Sequence, residues 1–168
     1  MNQTLSTPSL HNPTLRIAVI HSAWHDDIVA TARAAIRDEF TRHGRAEHIT
    51  VEIREYDVPG AFEIPLRAQL LATLASDARP DAIIACGFVV DGGIYRHEFV
   101  AAAVIDGLMR VQLDTGVPVF SAVLTPQQFH EHETHQQFFR EHMQHKGREV
   151  AKACLHTLDG MRRMAMAA

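Results

Sequence analysis

The sequence predicts a three-layer α/β/α domain around a four-stranded parallel sheet, and three observations lead to that fold class. Four short apolar runs recur at a steady interval, and each segment between them is long enough for a helix. Strands that alternate with helices at this spacing form right-handed crossovers, and therefore a parallel sheet. One run is apolar almost throughout, which is typical of a strand covered on both faces. These features indicate a flavodoxin-like arrangement. The runs are residues 15–20, 49–56, 82–90 and 117–124.

Two of the runs differ in pattern, and the difference indicates where each strand lies. Residues 82–90 (AIIACGFVV) are apolar nearly throughout, as in a central strand. In residues 49–56, the apolar Val51, Ile53 and Tyr56 stand among charged residues, so we expect an edge strand there. The periodicity leaves the order of the strands open.

The first helix is predicted over residues 25–43. Two aspartates stand in its first turn, and Arg42 and His43 in its last turn precede Gly44. This charge order and the terminal glycine are typical of one complete helix. The apolar stripe expected to face the sheet is Ile28, Ala32, Ile36 and Phe40.

The second helix is predicted from about Phe62, with Pro65 in its first turn, where a missing N–H does no harm. We expect it to bury three leucines spaced four residues apart, Leu66, Leu70 and Leu74.

The third helix is predicted from about Ile94 to Thr115, ending at Gly116.

A last helical segment is predicted from Thr125-Pro126, which has the form of an N-cap followed by proline at the first helical position. The segment is expected to continue to the end of the chain, with a break near Lys146-Gly147. Its last apolar stripe is Val150, Cys154, Leu155 and Leu158.

Composition limits the class of protein. At 168 residues and 46% hydrophobic, the chain suits one domain over residues 15–168, preceded by a flexible polar arm, residues 1–14. A net charge of −4 argues against a nucleic-acid surface, and no apolar run is long enough to span a membrane. The first residues (MNQTLSTPSLHNP) lack the features of a secretory signal. We expect Cys86 and Cys154 to be buried thiols in a reducing cytoplasm.

The predicted fold also indicates where a site should lie. In open α/β sheets, ligands bind beyond the carboxyl ends of the strands. Four segments of this chain converge there: residues 22–25, 58–63, 87–97 and 120–125.

The Asp91-Gly92-Gly93 turn lies between the most apolar strand and a helix. Glycines let the backbone approach a ligand closely, and a helix N-terminus offers free N–H groups to an anion. Such a turn often has no function beyond reversing the chain, so both interpretations stay open. Arg96 and His97, in the first turn of the helix, favour a phosphate site.

Glu63 and Trp24 each have two interpretations as well. A carboxylate at a helix start is stabilised by the helix dipole, so Glu63 can be a capping residue. Its carboxylate can equally accept hydrogen bonds from the hydroxyls of a polyol. Trp24, the single tryptophan, follows the first strand directly; its indole either packs against the protein or stacks on a planar heterocycle.

Histidines are concentrated in the last quarter of the chain. The segment H-E-H-E-T-H lacks the metalloprotease spacing, because Thr134 stands where the second histidine would be. His132 and His135 share a helix face without an evident third ligand, so we expect no metal site. The segment is either a solvated helix face or a source of phosphate partners. The six histidines in the last quarter of the chain are His130, His132, His135, His142, His145 and His156.

Four stretches together carry a resemblance to a known family. They are VPGAFEIP (residues 58–65), GFVVDGGIYRHEFV (87–100), TGVPVFSAVLT (115–125) and Lys146-Gly147. Over about residues 15–160 the chain resembles lumazine synthases. The details resemble the second type of that family, which assembles as pentamers that pair into decamers.

The resemblance implies a reaction. Lumazine synthases condense 5-amino-6-(D-ribitylamino)uracil with 3,4-dihydroxy-2-butanone 4-phosphate to give 6,7-dimethyl-8-ribityllumazine, the penultimate step of riboflavin synthesis. The reaction needs no metal or redox cofactor. An alternative is a storage or sensor protein that binds a flavin or lumazine in the same pocket with weak catalysis.

The resemblance also assigns roles to single residues. Trp24 would stack on the pyrimidine ring, and His25 stands where asparagine is usual. Phe120 would come from the neighbouring subunit and close over the ring. The other substrate-binding positions are Ala61, Phe62 and Glu63 for the ribityl chain, Phe88, Val89 and Val90 for the uracil edge, and Gly92, Gly93 and Ile94 for the keto-phosphate.

Departures from the family pattern affect the predicted chemistry. Ile94 and Tyr95 stand where the family commonly has small hydroxyl residues, so backbone groups and cations must supply more of the phosphate binding. Arg96 stands opposite the family's proton-transfer histidine, and His97 follows it. Because arginine cannot readily release a proton, we predict that His97 is the acid–base and Arg96 the phosphate partner. The family's phosphate-binding arginine falls in a region that is longer here, where His135 is the nearest candidate.

Overall fold

In the computed structural model, which describes residues 14–91, 96–130 and 132–167, four strands form one parallel sheet. The strand order is β2-β1-β3-β4, which periodicity alone leaves open. The predicted fold class is confirmed, as are the edge position of β2 and the inner position of β3, whose residues are all buried. The strands are β1 (Thr14–Ser22), β2 (Thr50–Val58), β3 (Ala82–Phe88) and β4 (Val119–Leu124).

Helices cover both faces of this sheet. On β1, alternate side chains such as Ile17 and Val19 pack towards α1 and α4, whereas Ala18 and Ile20 pack towards α2 and α3. The predicted apolar stripe of α1 is confirmed, since all four of its residues are fully buried. The helices are α1 (Asp26–Glu47), α2 (Ile64–Ala72), α3 (His97–Thr115) and α4 (Glu133–Ala167), and a 3₁₀ turn (Ala61–Glu63) precedes α2.

The predicted end of α1 at Gly44 is wrong, whereas the predicted end of α3 is confirmed. Gly116 follows α3 in the left-handed conformation, with φ of 72°. α1 instead continues to Glu47, and His48 adopts the left-handed conformation. Gly44 serves close packing, because a Cβ atom there would lie 3.1 Å from the carbonyl oxygen of Ile49.

The predicted start and break of the last helix are both wrong. α4 begins at Glu133, because the chain after Thr125 first crosses the end of the sheet and places Phe129 against Phe88, with 5.2 Å between ring centroids. α4 then runs unbroken through Gly147, which lies where α4 crosses α1. The predicted last stripe of α4 is confirmed; Leu155 is half-buried and its other three residues are buried.

The predicted buried stripe of α2 is also wrong. Leu66 is 65% exposed and Leu70 55%, because α2 instead buries Ile64, Ala68 and Leu71 on its opposite side. The adjacent α3 exposes large apolar residues too. We call the exposed set the α2/α3 apolar surface, and exposed apolar area of this kind commonly marks an interaction site. It comprises Leu66, Leu70, Leu74, Phe99, Ile105, Met109 and Leu113.

Two further expectations concern thiols and membranes. Cys86 and Cys154 are both buried, as predicted, and burial raises the pKa of each thiol to about 12. In the described parts of the chain, no helix is both long and apolar enough to cross a bilayer. The predicted arm, residues 1–14, lies outside the described residues except for Thr14, which begins β1.

The contact at Gly147 yields a stability prediction. A Cβ atom at this position would lie 2.5 Å from the carbonyl oxygen of Ala32, so Gly147→Ala must push α4 away from α1. We expect a loss of about 1–3 kcal/mol in the free energy of unfolding. Guanidinium titrations followed by far-UV circular dichroism, at matched protein concentration, measure the loss.

Gly160→Ala is the matched control on the same helix, because a methyl group at this position would meet no heavy atom of another element within 4 Å. It should leave stability unchanged or raise it by up to about 1 kcal/mol, since alanine is the better helix former. Equal effects of the two substitutions would contradict the close crossing of α1 and α4.

Candidate functional site

A cleft of about 360 Å³ opens at the carboxyl ends of the strands, where the sequence predicts a site. It brings together most of the predicted site residues, from the ends of β1, β2 and β3 and from the start of α3. The lining residues are Trp24, His25, Pro59, Gly60, Ala61, Phe62, Glu63, Phe88, Val89, Val90, His97 and Val100.

The turn between β1 and α1 supplies one wall of the cleft. His25 adopts the left-handed conformation (φ 55°, ψ 42°), and its carbonyl accepts hydrogen bonds from the N–H groups of Ile28 and Val29, both at 3.0 Å. Trp24 is 70% exposed, so packing within the chain does not account for the indole. The indole leans over Gly60, where a Cβ atom would lie 3.7 Å from the ring. The turn therefore presents a flat aromatic face to the cleft.

The turn between β2 and α2 supplies a second wall. The Gly60 N–H donates a 2.9 Å hydrogen bond to one carboxylate oxygen of Glu63, so the predicted capping interaction is present. This bond occupies a single oxygen, and the exposed carboxylate still lines the cleft. Phe62 beside it is 62% exposed. Capping and ligand binding are thus compatible at Glu63.

The end of β3 forms the floor. Phe88 and Val89 are buried, and the ring of His25 packs edge-on against Phe88 with 5.5 Å between ring centroids. The Val89 N–H already donates to the carbonyl of Leu124 at 2.9 Å. A ligand at this edge would therefore use other backbone groups of the segment that includes Val90.

The start of α3 separates the two predicted catalytic residues. His97 lines the cleft, its side chain is 14% exposed, and Nδ1 lies 3.8 Å from the carboxylate of Glu98. Arg96 precedes the helix and places its guanidinium 4.9 Å from the centroid of the Phe99 ring, outside the lining of the cleft. Of the two, only the imidazole faces the cleft.

Other predicted positions lie elsewhere. Gly92, Gly93 and Ile94 are outside the described residues. Phe120 is half-buried near the start of β4, on the side that packs towards α4. His135 lies in an aromatic cluster with Phe139, and its Nδ1 accepts a 2.9 Å hydrogen bond from the backbone N–H of His130. Neither Phe120 nor His135 lines the cleft of its own chain.

A partly buried polar cluster lies behind the Trp24 turn, and no motif in the sequence predicts it. Arg33 on α1 contacts His21, at the end of β1, and Asp26, in the first turn of α1. Burial lowers the pKa of His21, and the neighbouring positive charge of Arg33 lowers it further. The charged residues of β2, which also supply Glu55 to the cluster, indicate only an edge strand when the sequence is considered alone.

No cluster of three or more potential metal ligands is found in residues 14–91, 96–130 and 132–167. The polar side-chain groups that line the cleft are the Glu63 carboxylate, the imidazoles of His25 and His97 and the indole N–H of Trp24. A planar ring can stack on the exposed indole of Trp24, and a hydroxylated chain on that ring can donate to the Glu63 carboxylate oxygen that is not bonded to Gly60. The imidazole of His97 in the same cleft can transfer a proton.

Comparisons with known proteins identify the family that the chain matches. The family model of 6,7-dimethyl-8-ribityllumazine synthase matches residues 14–162. The chain is 52% identical to 6,7-dimethyl-8-ribityllumazine synthase 2 of Bradyrhizobium diazoefficiens, over 95% of this chain and 94% of that relative. It is 53% identical to the 6,7-dimethyl-8-ribityllumazine synthase of Rhodococcus erythropolis, over 88% of this chain and 91% of that relative. It is 49% identical to 6,7-dimethyl-8-ribityllumazine synthase 2 of Pseudomonas syringae pv. tomato, over 94% of this chain and 89% of that relative.

The buried imidazole of His21 yields a pH prediction. Because its pKa in the folded chain is below the ordinary 6.5, the unfolded state binds more protons as the pH falls through about 6.5. The free energy of unfolding should therefore decrease between pH 7.5 and 5.5, and less steeply in His21→Gln. Denaturant titrations at both pH values test this, with exposed His156→Gln as the control. Parallel pH profiles for His21→Gln and the unsubstituted protein would contradict the prediction.

Proposed function

Because the chain belongs to the 6,7-dimethyl-8-ribityllumazine synthase family, we propose that the cleft beside Trp24 is where it makes the lumazine. The enzyme condenses 5-amino-6-(D-ribitylamino)uracil with 3,4-dihydroxy-2-butanone 4-phosphate, and releases phosphate and water, in the penultimate step of riboflavin synthesis. The observation that carries the assignment of the site is the meeting of Trp24, Glu63 and His97 in one cleft.

The ribitylamino-uracil occupies the aromatic end of the cleft in this proposal. Its pyrimidine ring stacks on the exposed indole of Trp24, next to His25, because two flat aromatic rings attract each other in an offset-stacked arrangement. The ribityl hydroxyls donate to the Glu63 oxygen that is not bonded to Gly60. The uracil edge faces the buried end of β3, residues 88–90, and the ribityl chain also lies along Ala61 and Phe62.

The keto-phosphate occupies the end of the cleft nearest α3. The N-terminus of a helix provides free N–H groups and a positive dipole end, both of which stabilise a phosphate. We assign Gly92, Gly93 and Ile94 to this substrate, because they directly precede that helix in the sequence. Arg96, which stands at the N-cap of α3, adds a positive charge.

The chemistry requires positioning and proton transfer. The 5-amino nitrogen of the uracil attacks the ketone and forms an imine with loss of water, and phosphate then leaves by elimination. The ribitylamino nitrogen attacks the carbonyl that the elimination leaves and closes the second ring with loss of a second water. Holding the two substrates together can contribute ~7–11 kcal/mol. His97 faces the cleft and can give a proton to the departing water, then take one back during elimination.

Further copies of the same chain complete the site in this proposal. The α2/α3 apolar surface supports self-association, since its large apolar side chains are exposed in the described chain. Phe120 and His135 lie outside the cleft of their own chain, so we assign them to the cleft of a neighbouring subunit. By resemblance to the second type of the family, we propose pentamers paired into decamers, located in the cytoplasm.

The function is tested by mixing purified protein with both substrates and recording lumazine fluorescence above the uncatalysed background. His97→Ala should slow turnover roughly 10- to 100-fold without abolishing it, because positioning remains. His145→Ala, at an exposed position on α4, is the control and should retain full activity. Tight binding of the lumazine with no turnover by the unsubstituted protein would instead support the storage or sensor alternative.

The proposed assembly is tested by placing a charge on the α2/α3 apolar surface. Leu70→Glu should reduce the mass measured by sedimentation and reduce activity in parallel, because a buried unpaired carboxylate is costly. Met166→Glu, on the far end of α4 and 89% exposed, should leave both unchanged. Retention of full mass by Leu70→Glu would exclude α2 from the interface.

A further inference from the structure

One guanidinium links three elements behind the cleft. Arg33 on α1 places Nη2 2.6 Å from Oδ1 of Asp26 and Nη1 3.1 Å from Nε2 of His21. Nη1 also lies 3.5 Å from a carboxylate oxygen of Glu55 on the edge strand. The Arg33 side chain is 17% exposed and that of Glu55 is 24% exposed, whereas that of Asp26 is 56% exposed, so solvent screens the pair with Asp26 more than the contacts with His21 and Glu55. Arg33 thereby connects the end of β1, the first turn of α1 and β2.

Two of these partners are the ends of the connection that carries the aromatic wall. His21 precedes the connection and Asp26 follows it, so the segment between them is residues 22–25, which contains Trp24 and His25. A single side chain that holds both ends fixes the span of the turn. The turn is also held to β2 by a 2.9 Å hydrogen bond from the N–H of Ala23 to the carbonyl of Val58.

The turn needs such support because its own conformation is costly. A non-glycine residue in the left-handed region, such as His25, costs roughly 1–2 kcal/mol. Conformations of this kind persist only where the surroundings enforce them. Trp24 itself contributes little packing within the chain, since most of its ring is exposed. The position of the indole therefore depends on how the two ends of the turn are held.

Arginine suits this arrangement for a geometric reason. Its planar guanidinium presents several N–H donors in fixed directions, and it stays charged at all relevant pH values. The guanidinium of Arg33 contacts His21, Asp26 and Glu55 at the same time. A lysine ammonium is a single point charge on a flexible stem, so it cannot hold the same three groups in one geometry.

We propose that Arg33 is a positioning residue for the pyrimidine platform: by holding His21 and Asp26 it fixes the Trp24–His25 turn on which the heterocycle stacks. The proposal rests on the function proposed for the cleft. Arg33 itself does not line the cleft, so it acts through Trp24 rather than on the substrate.

The chain offers a direct probe of this turn, because Trp24 is its only tryptophan. In Arg33→Met, acrylamide should quench the tryptophan fluorescence more strongly and the anisotropy should fall, because the turn is no longer held. KM for the ribitylamino-uracil should rise roughly three- to tenfold, while kcat and KM for the keto-phosphate stay within about twofold. Arg33→Lys should restore these values only in part.

Arg37→Met is the matched control. Arg37 lies one turn further along α1 and also pairs with Glu55, but it contacts neither His21 nor Asp26 in the structure. It should leave Trp24 fluorescence and KM unchanged. If Arg37→Met matched Arg33→Met, or if Arg33→Met left both readouts unchanged, the positioning role would be overturned.

The fluorescence readout separates this proposal from the proposed function. If the unsubstituted protein makes no lumazine but Arg33→Met still loosens Trp24, the function fails and the structural role of Arg33 stands. If Arg33→Met does not fold, Asp26→Asn provides the test, since it weakens one arm of the link and leaves the guanidinium in place. Like Arg33→Met, Asp26→Asn should increase both the acrylamide quenching of Trp24 and the KM for the ribitylamino-uracil. No change in either quantity would overturn the proposal.

Discussion

The two inner strands, β1 and β3, are buried on both faces, and the rest of the structure depends on that burial. Helices must cover both faces, so every connection crosses over and all four strands run parallel. Their carboxyl ends then lie along one edge, where each connection can deliver side chains. β1 delivers Trp24, β2 delivers Glu63 and β3 delivers Phe88 to the same cleft. The cleft is thus a consequence of how the inner strands are covered.

The strands are predictable from the sequence because a strand buried on both faces must be apolar almost throughout. Helix details are harder to predict, since one residue type can serve different ends. Gly44 and Gly147 stand in sequence contexts typical of helix ends, but Gly44 lies within α1 against Ile49 and Val51, and Gly147 lies where α4 crosses α1. On α2, Leu66 and Leu70 lie four residues apart and form a stripe as regular as the buried one, so the helix is apolar on two sides and one of them is exposed. Periodicity alone cannot say which side faces inwards.

The site shows the same division between local and long-range information. Trp24, Glu63 and His97 follow strand ends or begin a helix, so their place in the cleft could be predicted from the order of elements. Arg33 could not be found in this way. Its partners include Glu55 on a different element, and they meet only because β1 and β2 pair in one particular register and α1 lies over them. Interactions that depend on register leave no local pattern in the sequence.

The cleft and the α2/α3 apolar surface share structural elements, and this sharing links catalysis to assembly. α2 begins directly after Glu63, and α3 begins at His97, so the two helices that expose leucines also start at the cleft. Arg96 lies over Phe99, which places the cation of the proposed anion site on a residue of that surface. A second copy that covers the surface would also change the surroundings of Arg96 and exclude water from one side of the cleft. In the proposed enzyme, burial of the apolar surface and completion of the site are therefore one event.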